Sequence, residues 1–182
     1  MSLDFIARLA SEGPSDARCL QRPASTRYIA AAVVWAIPAP TGERGRMMSD
    51  LTYEGGCLCG NVRYRASGEA TNLAYCHCRS CRGSSGAPFV AWATFAGDRF
   101  EIVKGSPVTN RSSKHVERRF CGQCGAALTY VHAMRPEQID VTLATMDDTR
   151  DLRPEAHIWV SQKLAWVTLE DHLPQHSGWP KV

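Results

Sequence analysis

Cys76, His77, Cys78, Arg79, Ser80 and Cys81 put three thiols into six residues, spaced C-x-C-x2-C. That is one thiol short of a closed tetrahedral zinc cage. Zinc sites with four protein ligands are usually structural, whereas three protein ligands leave a position for water or substrate. Whether this trio is truly three-coordinate depends on what the other cysteines do.

The chain has eight cysteines in 182 residues. Besides the trio they fall into two tight pairs, Cys57/Cys59 and Cys121/Cys124, and a lone Cys19 read as a free thiol. Clusters of this kind favour metal over disulfides. Cysteines one residue apart are badly placed to bridge each other, and disulfide frameworks spread their cysteines between elements. A reducing, cytoplasmic setting is the corresponding expectation, because metal ligands must stay thiolates. The two pairs read C-x-C, then 61 residues, then C-x2-C. Two such knuckles can close a four-cysteine tetrahedral site. A site of that type pins distant strands together and contributes on the order of 10 kcal/mol to folding in small zinc peptides. An iron–sulfur cluster is the rival occupant, since it too takes four thiolates.

The trio then has no thiolate to borrow. His77 is poorly placed to help, because a ring and thiolates from three consecutive residues rarely converge. His115, His132 or His157 would have to arrive from elsewhere in the fold; otherwise the fourth position is open. Three thiolates make a metal a weaker Lewis acid than three histidines would. They suit it instead to exchange toward another soft sulfur ligand. Coordination deprotonates a thiol, giving a nucleophile near neutral pH.

The rest of the chain suggests an all-β domain. Asn61–Ala66, Pro88–Phe95, Arg99–Lys104, Ala126–Val131, Gln138–Leu143 and His157–Val160 read as short strands separated by Gly/Asp turns. Residues 146–154 read as a loop, and the trio as a strand end leading into a loop or short helix. No repeat, coiled coil or long amphipathic helix appears. Residues 1–48 stand apart, rich in Ala, Arg and Pro. Their apolar run, residues 28–39, is too short for the ~20 residues a bilayer needs. They are read as an N-terminal extension, disordered or a start called too early, with 49–182 as the zinc domain. The formal net charge is +3, and from Ser49 onward there are 15 Lys/Arg against 14 Asp/Glu. Neither nucleic acid nor membrane is expected as a partner.

Arg79, Arg82, Arg118 and Arg119 flank the knuckles. They either offset the charge of metal–thiolate centres or hold an anionic substrate through a bidentate fork. Trp92, Trp159 and Trp166 read as core or rim aromatics, His172 and His176 as solvated, and Asp147–Asp148 as a loop acid pair.

The order G-G-C-L-C-G at 55–60, Y-C-H-C-R-S-C-R at 75–82 and F-C-G-Q-C-G at 120–125 resembles the glutathione-dependent formaldehyde-activating enzyme family. That family shares its domain with centromere protein V. The stretch H-I-W-V-S-Q-K-L-A-W, 157–166, is also similar, with Ala165 where a proline is common. The resemblance runs from about Thr52 to Trp166. It implies an all-β fold of the β-tent type with two zinc ions. Cys57, Cys59, Cys121 and Cys124 would hold a structural zinc, and Cys76, Cys78 and Cys81 a catalytic one. It further implies a carbon–sulfur lyase, joining glutathione or a related thiol to formaldehyde or a small aldehyde as an S-hydroxymethyl adduct. Two other readings stay open. One is a non-enzymatic zinc module that binds a thiol metabolite or a protein partner; the other is a zinc buffer or redox sensor.

Overall fold

Ten short strands carry the fold between Leu51 and Pro180, the residues the computed structural model describes. The extension 1–48 and Cys19 lie outside that range. The strands are β1 (Thr52–Gly56), β2 (Arg63–Ser67), β3 (Thr71–Cys76), β4 (Val90–Ala96), β5 (Phe100–Lys104), β6 (Val108–Ser113), β7 (Val116–Phe120), β8 (Ala127–His132), β9 (Gln138–Thr142) and β10 (Ala156–Ile158). One seven-residue helix, α1 (Arg79–Ser85), interrupts them. The all-β expectation matches this architecture. One sheet has the order β1-β2-β5, and a second, seven-stranded sheet runs β10-β3-β4-β9-β8-β7-β6. All pairings are antiparallel except β10 with β3, which is parallel.

Alternation decides what each face meets, because successive side chains on a strand point to opposite sides. On β4, Ala93 and Phe95 join the main core, while Val90 and Trp92 pack in a second cluster with Cys76 and Cys81. On β9, Ile139 and Val141 belong to the main core, and Asp140 and Thr142 face away from it. The three-stranded sheet covers the core face with Tyr64 and Ala66 of β2, and Val62 just before that strand joins them; all three are fully buried. Tyr64 meets no water, so its hydroxyl shares a hydrogen bond with Thr145 Oγ1 at 2.9 Å. Gly55 is obligatory beside that ring, since a Cβ there would lie 2.3 Å from the Tyr64 oxygen.

Three strands, β1, β6 and β7, go beyond the sequence reading. β1 and β7 run directly into the cysteine pairs at Cys57 and Cys121, and β3 is the strand end on which the sequence reading places the trio. β6, Val-Thr-Asn-Arg-Ser-Ser, is exposed along its whole length and carries no apolar alternation; its pairing with β7 alone makes it a strand. Ala165–Leu169, which reads from the sequence as an edge strand or a loop, is a loop. No described helix is long and apolar enough to cross a membrane.

Candidate metal centres and cavity

The two knuckles meet. Cys57 and Cys59 follow β1, Cys121 and Cys124 lie between β7 and β8, and their four sulfurs lie within 4.8 Å of one another. Two of the separations are 3.5 Å, Cys57 to Cys59, and 3.8 Å, Cys59 to Cys121. Four sulfurs ~2.3 Å from one zinc would stand about 3.8 Å apart, so the cluster has the size of a tetrahedral site. The Val62 amide donates to Cys57 Sγ at 3.2 Å. Desolvation opposes ionisation of Cys57, yet that amide and the neighbouring thiols hold it down at about 6. Cys59 is pushed up to about 11: the Asn61 amide lowers it, but desolvation and the ionised Cys57 prevail. Packed thiols cannot all ionise without a cation among them.

Cys76, Cys78 and Cys81 also converge within 4.8 Å, and no other Cys, His, Asp or Glu among the described residues joins them. β3 ends at Cys76. Cys78 then caps α1, its sulfur accepting the Cys81 amide at 3.3 Å. Gly86, with φ 69°, ends the helix. Cys76 is pushed up and Cys78 pulled down to about 2, in both cases through the hydrogen bonds within the trio first. The same cation requirement applies, and three convergent soft donors fit zinc.

The histidines considered as a fourth ligand are engaged elsewhere. His77 and His157 are both buried, with His77 Nε2 2.8 Å from His157 Nδ1, and His157 Nε2 2.8 Å from Asp171 Oδ2. This chain ties the cysteine loop to the C-terminal segment. Burial holds His77 neutral, pulling it down to about 4. His115 and His132 lie near each other, ring centroids 6.2 Å apart. Sequence reasoning missed the His77–His157–Asp171 chain because Asp171 sits in a segment without periodic pattern.

The trio opens into a cavity of about 800 Å³. Its floor is the outer face of the seven-stranded sheet. Cross-strand register places Asn110, Arg118, Tyr130, Asp140 and Thr94 in one row, and all five line the cavity. Thr94 Oγ1 donates to Asp140 at 2.5 Å, and Arg135 approaches the other carboxylate oxygen at 3.3 Å. Trp92, Trp159 and Trp179 add apolar walls, while Trp166 is 71% exposed and lines nothing described. Of the flanking arginines, Arg118 alone is buried. Arg82 donates to the His77 carbonyl, Arg119 pairs with Glu117, and Arg79 is exposed. Asp147 and Asp148 pair with Arg63 and Arg150, so the loop acids are structural.

A model of the glutathione-dependent formaldehyde-activating enzymes matches residues 52–162, the stretch that contains all ten strands and both cysteine clusters. The chain belongs to that family. An uncharacterized lyase of Schizosaccharomyces pombe is 33% identical over 81 residues, 44% of this chain and 58% of that protein. The chain thus matches less than two thirds of that relative's length. A Halomonas elongata protein assigned by name to the glutathione-dependent formaldehyde-activating enzymes is 29% identical over 130 residues, 66% of this chain and 82% of its own. A crystal structure of a Rhodobacter sphaeroides protein aligns with TM-score 0.43 and 21% identity, over 67% of this chain and 98% of that one.

Proposed function

We propose that the protein is a zinc-dependent carbon–sulfur lyase. It would form or cleave an S-hydroxymethyl adduct between glutathione or a related thiol and formaldehyde or a small aldehyde, in the cytoplasm. The observation that carries this reading is the three-thiol cluster at the end of a cavity, with no fourth protein ligand among the described residues. Cys76, Cys78 and Cys81 would hold the catalytic ion, and Cys57, Cys59, Cys121 and Cys124 a structural one. A zinc ion in the first site supplies an open position where a thiol is kept as thiolate at neutral pH.

The chain's own residues account for the remainder. Trp92 and Trp159 form apolar walls beside the trio and reduce water's access to the reacting sulfur. In the forming direction, the thiolate sulfur attacks the aldehyde carbon, a C–S bond forms, and the carbonyl π pair moves onto oxygen. That alkoxide needs a proton. Tyr130 lines the cavity and packs against the same cluster as Cys76 and Cys81. Burial, reinforced by nearby Asp140, pushes its phenol up, so it keeps a proton to give. In the lyase direction the same phenolate takes the hydroxyl proton back.

The test is hemithioacetal exchange with zinc-loaded protein against Cys78→Ser. Exchange above the buffer rate is expected for the wild type and the buffer rate for the variant. Equal rates, both matching buffer, would favour the non-enzymatic thiol-binding module.

A further inference from the structure

Arg118 is the most unusual charge in the fold. It sits between Asn110 and Tyr130 in the row on the cavity floor and is only 8% exposed. Arg63, Arg65, Arg119, Arg135 and Arg150 each pair with a carboxylate. Arg118 has no carboxylate within ion-pair distance among the described residues. Its contacts are Cys81 Sγ, 3.9 Å from Nη2, and the Tyr130 ring, whose centroid lies 4.8 Å from the guanidinium carbon.

A buried cation without a close anion is costly. Three thiolates around a divalent ion leave a net −1, which one guanidinium offsets. That explains a positive charge here but not this group. A long N–H···S contact uses one of five donors, and a guanidinium's planar fork is shaped for paired oxygens. No lysine lines the cavity, and the other lining arginine, Arg135, is held by Asp140 and Gln138. The cation left free to meet a ligand is therefore Arg118, beside the trio.

We propose that Arg118 binds a carboxylate carried by the thiol whose sulfur occupies the Cys76/Cys78/Cys81 site. This rests on reading that site as a thiol site. The guanidinium donates two parallel hydrogen bonds and the carboxylate accepts them. Because Nη2 lies within 4 Å of Cys81 Sγ, even a carboxylate only a few bonds from the bound sulfur is within its reach. Arg118 thereby sets which thiols the cavity accepts.

Calorimetric titration of the zinc-loaded full chain with 3-mercaptopropionate and with its neutral amide, 3-mercaptopropionamide, tests this. The acid is expected to bind about tenfold or more tightly than the amide. Arg118→Met should abolish the difference and leave amide binding near wild type. Arg118→Lys should keep part of it, retaining the charge but not the fork, with zinc content unchanged in both. Equal affinities in the wild type, no binding of either thiol, or a preference that survives Arg118→Met would each overturn the proposal. The wild-type comparison needs no variant to fold. The measurement is also separate from turnover. Acid-selective binding without exchange above buffer would sink the lyase reading alone. Exchange without acid selectivity would sink this one alone.

Discussion

Asp140 shows at the scale of one residue that the cavity floor is not arranged for stability. Desolvation pushes its carboxyl up, against the lowering effects of the Thr94 hydroxyl and of Arg135, with Arg118 a smaller influence. A carboxyl whose folded value lies above its unfolded one stabilises fully below the unfolded pKa of about 3.9. That contribution is lost as pH rises through the folded value, so at pH 7 the charge is a net cost. Asp140→Asn removes the charge and keeps an acceptor for Thr94. Its melting temperature at pH 7 is expected to equal wild type or exceed it by up to ~3 °C, with the difference fading toward pH 3.5. A clear fall at pH 7 would mean that Arg135 more than compensates the burial. Arg118 and Asp140 are both buried charged groups in a sheet whose other face is a regular apolar core.

At the scale of elements, the four-cysteine cluster joins the ends of strands in two different sheets. Cys57 and Cys59 hang from β1 of the three-stranded sheet, and Cys121 and Cys124 from the β7–β8 turn of the larger one. An ion there closes a loop of more than 60 residues, where cross-linking removes the most chain entropy. Cys121 is fully buried. Cys121→Ser is accordingly expected to lose one equivalent of metal and several kcal/mol of stability, seen as insoluble protein or a greatly lowered denaturant midpoint; a soluble variant with a wild-type midpoint would remove the structural role. These knuckles were legible in the sequence because ligand spacing is a local property. So were most strands, where apolar residues alternate. β6 was not, because a polar edge strand owes its existence to its neighbour. The cavity row was not legible either. Arg118, Tyr130, Asp140 and Thr94 come from four strands and meet only through register, which no single segment encodes. Asp140 did leave a trace, an acid inside the apolar run Gln-Ile-Asp-Val-Thr-Leu, but one polar residue in a strand reads equally well as a solvent-facing position.

Across the whole molecule the two clusters differ in what they hold together, and that difference is measurable. The three-cysteine site draws its ligands from six consecutive positions, so an ion there closes only a short loop. Its surroundings, the β3–α1 corner and β10, are already tied by backbone pairing and by the His77–His157–Asp171 chain. The quartet spans both sheets. Graded chelation of the zinc-loaded protein is therefore expected to release two equivalents in separate phases. The first should leave the far-UV circular dichroism unchanged and abolish thiol binding; the second should coincide with unfolding. The Cys78→Ser protein should show the second phase alone, at an unaltered chelator concentration. Release of both ions in one phase, together with the loss of structure, would contradict this division. The trio would then be a second structural clamp, and the open position on which the proposed chemistry depends would have no independent existence.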